Sequence, residues 1–302
     1  MAADVYPTLE QLAALRLDAR GFSLLPHQPV SSLLSGKHTS RLRGRGLTFE
    51  ELRGYRPGDD IRSIDWRATA RLRKPHVRVY SEERERPVLL LVDQRSTMFF
   101  GSRRTTKATA ATELAALAAW ATLDAGDRVG AIIFGDDEIV EIRPRRSREN
   151  VLRICHELVR LNRMLSATSQ ATPGVFNDAL KRAVNVAKHD HLVVLATDYH
   201  GSDAQTHRHA TMLARHNDVL ATLVYDPLGA SFPAFGEGDV TDATHQVALK
   251  LTRGFNERFQ RKFLDRADEI RSQLRSIRIP VLPICTAEPI VDQLLVALGA
   301  RS

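Results

Sequence analysis

The sequence predicts an α/β protein with a doubly wound, mostly parallel sheet. Two observations carry that prediction. Short unbroken apolar runs such as Val88–Val92 and Leu192–Ala196 are strand-sized and show no polar alternation, as in strands buried on both faces. They alternate along the chain with longer segments whose apolar residues recur three and four positions apart, the helical period. Strands and helices in that succession wind a parallel sheet with helices on both sides. Both runs also end in a lone aspartate, Asp93 and Asp198. In open α/β sheets the binding crevice lies beyond the carboxyl ends of the strands, where strand order reverses. A strand order that sets these two runs side by side therefore puts both carboxylates in one crevice.

In chain order, Leu9–Leu17 has a short helical period and His76–Tyr80 alternates like an edge strand. Between them Gly44, Gly46, Gly54, Pro57 and Gly58 break the pattern, which reads as loops held by side-chain contacts. After the Val88–Val92 strand come an Ala/Leu-rich helix at Thr106–Asp124 and strands at Asp127–Phe134 and Glu138–Ile142. Helices follow at Arg148–Leu165 and at Pro173–Lys188, the second opening with proline near its first turn. Beyond the Leu192–Ala196 strand, Ser202–His216 is helical and Val219–Tyr225 is a strand. Gln246–Leu251 is one more candidate strand, Thr252–Ile277 a long charged helix, Val281–Cys285 a last strand and Pro289–Leu298 a closing helix. The change of pattern at Pro87 divides the chain into an irregular basic region, 1–86, and an α/β domain, 87–302.

Apolar residues make up 43% of the 302 positions and charged residues 26%, ordinary values for a folded domain. The formal net charge is +7, and Arg41–Arg86 holds 13 basic against 8 acidic side chains, so +5 of that excess. Acidic partners are favoured: nucleic acid, an anionic membrane face or an acidic protein surface. The two cysteines, Cys155 and Cys285, cannot form a disulfide framework or a zinc site alone and read as small core residues. No run reaches the length of a membrane span, and no secretory leader is visible, so a cytoplasmic protein is expected.

The candidate chemistry centres on Asp93-Gln94-Arg95-Ser96-Thr97. An aspartate at a strand end with hydroxyls at alternate positions suits a hard divalent cation, Mg²⁺ or Mn²⁺, and Asp198 would complete the set. The block from Phe49 to Leu72 is denser in charge. Arg53, Arg56, Arg62 and Arg67 interleave with Asp59, Asp60 and Asp65, around Tyr55, Pro57, Gly58 and Trp66. Such a block fixes irregular backbone through internal ion pairs, with Tyr55 and Trp66 as buried anchors, or it meets a partner. His189, His191, His200, His207 and His209 read as surface histidines, since His207 and His209 do not share a helical face. No nucleophile elbow, phosphate-cradling loop or Cys–His signature is present, so an enzyme is not expected.

The Phe49–Leu72 block resembles the signature of domain-of-unknown-function family fifty-eight. The similarity continues through Glu82–Arg86, the strand into Asp93, Gly126–Gly130 and Thr286-Ala287-Glu288. The resemblance implies a von Willebrand factor A-like fold with a metal-ion-dependent adhesion site. It also implies a non-enzymatic role beside a MoxR-type AAA+ ATPase in chaperone-like assembly or maturation of complexes, with other von Willebrand factor A-like proteins at the inner membrane as further partners. The family's site pattern is Asp-x-Ser-x-Ser. Here Asp93 matches, Arg95 replaces the first serine, Thr97 replaces the second, Thr172 lies near the later threonine and Asp198 matches the last aspartate. A guanidinium cannot ligate a cation. Turned inward, Arg95 pairs with Asp93 or Asp198 in the metal's place; turned outward, it leaves room for a weakly held Mg²⁺. The expected partner-binding crevice is therefore Asp93, Arg95, Thr97 and Asp198, with Asp93, Thr97, Asp198 and Thr172 the candidate metal set. Nucleic-acid binding through the basic region is the alternative, and a metal-dependent hydrolase ranks below it.

Overall fold

The structure, a computed structural model, describes residues 5–20, 47–57, 59–82, 86–230, 236–241, 246–251 and 253–298. Gly58 and residues 41–46 and 83–85 of the basic block lie outside them. The elements are α1 (Leu9–Ala19), β1 (Leu47–Gly54), α2 (Trp66–Leu72), β2 (His76–Glu82), β3 (Val88–Asp93), α3 (Lys107–Asp124), β4 (Val129–Phe134) and β5 (Ile139–Arg145). They continue with α4 (Arg148–Met164), α5 (Val175–Val186), β6 (Leu192–Thr197), α6 (Ala204–His216), β7 (Asp218–Tyr225) and a single turn α7 (Pro227–Ala230). Last come β8 (Gly236–Thr241), β9 (Gln246–Leu251), α8 (Arg253–Ser276), β10 (Val281–Cys285) and α9 (Ile290–Leu298). The chain forms two compact units, one of residues 39–85 and one of residues 1–38 with 86–302. Helix α1, the first element of the expected 1–86 region, thus goes with the α/β unit.

In the larger unit six strands run in the order β10-β7-β6-β3-β4-β5. All neighbours are parallel except β4 and β5, which form a hairpin. Every residue of β3, β4 and β6 is buried, as their apolar runs predicted. Alternate side chains serve opposite faces. Val88, Leu90 and Val92 join α1, α3, α4 and α9 on one side, while Leu89 and Leu91 join α5, α6 and α8 on the other. Helix α3 is alanine-rich because nearly all of it is enclosed between the sheet and its neighbouring helices. Its Trp120 Nε1 donates to the Leu12 carbonyl at 3.0 Å, which fixes α1 on this layer.

Position 130 shows why β4 opens with Val-Gly. A Cβ there would stand 2.5 Å from the Ile142 carbonyl oxygen, where the β4–β5 register shifts. After β3 the chain goes to β4 on one flank and returns as β6 on the other, so strand order reverses between β3 and β6. That reversal places the crevice.

The smaller unit is more regular than its glycines and prolines suggested. β1 and β2 pair antiparallel with a bulge at Phe49/Glu51, and a short helix, α2, stands between them in sequence. Asp65 caps α2 by accepting from the Arg67 and Ala68 N–H groups, and Asp60 accepts from the Arg62 N–H. Arg53 and Asp59 form a two-pronged pair at 2.8 and 2.7 Å. The Arg53 hydrogen bond and the Arg56 N–H hold the Asp59 carboxyl down at about 2. The internal ion pair expected of the block is therefore present. The buried tryptophan anchor is not: Tyr55 is half-buried, and Trp66 at the start of α2 is 68% exposed.

Candidate functional site

Asp93, Arg95 and Asp198 come together at the carboxyl ends of β3 and β6, which pair directly with Val92 opposite Ala196, and Thr97 follows in the turn after β3 without a side-chain bond to them. Arg95 is turned inward. Its Nε and one terminal nitrogen donate to the two Asp93 oxygens at 3.0 and 2.7 Å, and its backbone N–H donates to Oδ1 at 3.0 Å. The Thr197 hydroxyl donates to Asp93 Oδ2 at 2.6 Å. All four donors converge on a carboxylate with no exposed surface. The guanidinium carbon stands 5.6 Å from the Phe134 ring centroid and 5.2 Å from that of Phe176, so its faces rest on aromatic π-clouds.

Asp198 is 4.0 Å from Arg95 and accepts from Lys107 Nζ at 2.6 Å. Lys107 opens α3 behind its Thr106 cap, which aims the ammonium at the strand ends. Burial moves the Asp93 carboxyl up from the ordinary range, against the pull of Arg95 and Thr197. Burial acts on Asp198 too, but the Lys107 ammonium, the His200 N–H and Arg95 together outweigh it and hold that carboxyl low. Two fixed positive charges, Arg95 and Lys107, thus balance two buried carboxylates.

This set does not fit a divalent cation. A metal on Asp93 would have to displace a guanidinium, since both oxygens are occupied. Thr172 is exposed and reaches the site only through its N–H, which donates to Asp136 Oδ1 at 2.9 Å. Asp136 also accepts from the Ser96 N–H at 2.6 Å, so it ties the β3 and α5 loops together. Among the described residues no three His, Cys, Asp or Glu side chains gather as a metal set. The Thr97 hydroxyl is buried without a hydrogen-bond partner. Thermal unfolding is expected to be the same in EDTA and in millimolar Mg²⁺. A resident cation at a hundred times its Kd would add about 2.7 kcal/mol, and a Mg²⁺-dependent rise in Tm of that size would overturn the assignment.

Sequence reasoning missed Lys107, Asp136 and Thr197. Thr197 and Asp198 are consecutive, so the strand-end signal could have included the threonine. Lys107 and Asp136 come from a helix start and a hairpin turn, and no local pattern links either to Asp93. An open cavity of about 240 Å³ adjoins the Lys107–Asp198 pair and is lined by Phe100, Tyr225, Phe263 and Arg266. Next to it Tyr199 adopts a left-handed φ of 58°, and its hydroxyl is buried without a partner. The histidines take no part in a cluster. His189 and His200 are exposed, but His191, His207 and His209 are half-buried, and both His209 ring nitrogens are enclosed without partners. Cys155 is buried, which pushes its thiol up to about 12, whereas Cys285 is only half-buried.

The fold and site define an α/β protein with a crevice of internally matched charges at a strand-order reversal. The chain belongs to the family described as proteins of unknown function DUF58, whose model matches residues 51–273. It is similar to the uncharacterized protein Mb1516 of Mycobacterium bovis, 28% identical over 273 residues, covering 88% of this chain and 83% of that protein. The uncharacterized protein Rv1480 of Mycobacterium tuberculosis matches to the same extent. Among solved structures, that of the conserved hypothetical protein BatB from Bacteroides thetaiotaomicron aligns with a TM-score of 0.44 and 15% identity, over 70% of this chain and 96% of that one. No helix among the described residues is long and apolar enough to cross a membrane.

Proposed function

We propose that the larger unit is a von Willebrand factor A-like interaction module whose crevice binds a partner without a metal. In this reading the chain is a non-enzymatic adaptor that acts with a MoxR-type AAA+ ATPase in assembling or maturing protein complexes. The observation that carries the crevice is its charge balance. Arg95 and Lys107 provide the two positive charges that a divalent ion would otherwise bring, and both are locked onto carboxylates. No group is left as an activated nucleophile or a free general base, so the arrangement favours recognition over chemistry. The adjoining cavity is large enough for a partner's side chain, and Lys107, Asp198 and Arg266 in its lining offer polar contacts. The ATPase follows from the family resemblance, and the crevice is argued independently of it.

Asp198→Asn tests the reading, because it removes one charge while keeping the shape. Association with a MoxR-type ATPase, measured by co-purification and titration, is expected to weaken about tenfold. EDTA is expected to leave wild-type association intact. Unchanged association in the variant, at unchanged Tm, would remove the crevice from the interface.

A further inference from the structure

We propose that the outer face of α2 is a docking surface for a protein that presents an apolar pocket ringed by carboxylates. The proposal rests on the smaller unit alone and is independent of the crevice. At 100° per residue, Trp66, Ala70, Arg67 and Arg71 fall within an arc of about 140°, and all four are exposed. Trp66 is 68% exposed, and Ile61, in the short 3-10 turn that precedes α2, is 65% exposed. Thr69, about 60° beyond the Trp66 edge of this arc, accepts from the His76 N–H of the hairpin.

The charges around this face are unbalanced for a structural reason. Asp59 is committed to Arg53 and the Arg56 N–H, Asp60 to the Arg62 N–H, and Asp65 to the Arg67 and Ala68 N–H groups. Asp59 is thus shared between a guanidinium and backbone, and Asp60 and Asp65 accept from backbone N–H groups. The guanidinium groups of Arg62, Arg67 and Arg71 make no hydrogen bond or ion pair among the described residues. A tryptophan flanked by unmatched arginines is the composition of an interface centre. The positive charge calls for carboxylates around the pocket that takes the indole. Contact between two copies through this face would set arginine against arginine. A nucleic acid would offer no apolar pocket to the Trp66 indole or to the exposed aliphatic side chain of Ile61.

The chain has two tryptophans. Trp120 is 1% exposed, so aqueous quenchers in the full chain report on Trp66 alone. Iodide is expected to quench more than caesium, because the arginines gather anions. The probe is a dodecapeptide with a Leu/Phe centre flanked by glutamates. It is expected to shift the emission to the blue, protect against iodide and bind about tenfold more weakly to Trp66→Ala and to Arg67→Glu/Arg71→Glu, at unchanged Tm. Any of four results would overturn the proposal. These are no binding of the acidic peptide, equal binding of its lysine counterpart, protection by a single-stranded oligonucleotide in its place, or protection that grows with protein concentration alone. Failure of iodide to reach Trp66 in the free chain would also overturn it, since the face would then be covered by its own chain.

Discussion

Arg95→Ala is expected to destabilise the larger unit by about 3–5 kcal/mol, the cost of leaving a buried charge without its partner. The reason is the Asp93 carboxylate, which has no exposed surface and takes two of its four hydrogen bonds from the guanidinium. With alanine at 95 the charge can be relieved only by protonation, by water entering between Phe134 and Phe176, or by local unfolding. A unit of this size loses about 2–4 °C of Tm per kcal/mol, so the midpoint is expected to fall by about 10 °C. Asp93→Asn/Arg95→Met, which removes both charges and refills the volume, is expected to recover more than half of the loss. Urea unfolding of the three proteins measures this directly. A loss below about 1 kcal/mol in the single variant, or a double variant no better than the single, would mean that the pair is not the anchor of the crevice. For the same reason Arg95→Ala confounds binding with folding, and Asp198→Asn is the cleaner probe of association.

The parts of this structure legible in the sequence are those whose signal is local. β3, β4 and β6 are continuous apolar runs of strand length because both of their faces are covered. The lone aspartates closing two of them place the crevice, and the pairing of β3 with β6 brings them together as expected. Of the smaller unit only β2 was legible, from the alternating run His76–Tyr80. β1 carries Glu50 and Glu51 at its bulge, so its alternation is broken where the register shifts. α2 is two turns long, too short for a period, and its start is marked only by the Asp65 cap. The hairpin strand β8 opens Gly-Glu-Gly-Asp and has no apolar face to read. Trp66 was misread because a large aromatic side chain in a charge-dense block is usually an anchor, whereas here the caps alone order the backbone. The Lys107 and Asp136 contacts depend on which loops the topology brings to the strand ends, and that information lies in tertiary structure.

The second large effect is expected at Asp226, just beyond β7, where the carboxylate has no ion-pair partner among the described residues and takes four neutral donors instead. Its carboxylate accepts from the Ser102 N–H and hydroxyl at 2.8 and 2.6 Å, from the Thr286 hydroxyl at 2.5 Å and from the Leu228 N–H at 2.9 Å. It therefore ties the loops after β3, β7 and β10 together at the rim that holds the crevice. The side chain is only 4% exposed. Asp226→Ala leaves the buried Thr286 hydroxyl and three partly buried donors without their acceptor and is expected to cost about 2–3 kcal/mol. Burial raises this carboxyl, but the Ser102 and Thr286 donors outweigh it and hold it below the ordinary range. A carboxyl depressed in the folded state stabilises fully above its unfolded pKa of about 3.9, and that stabilisation fades as pH falls through the folded value. The gap between wild type and Asp226→Ala is therefore expected to be constant from pH 7 to 5 and to narrow below pH 4, as measured by urea unfolding across that range. A gap that stays constant down to pH 3 would show that the carboxylate form is not what binds the three loops. A gap absent at pH 7 would show that the loops hold without it.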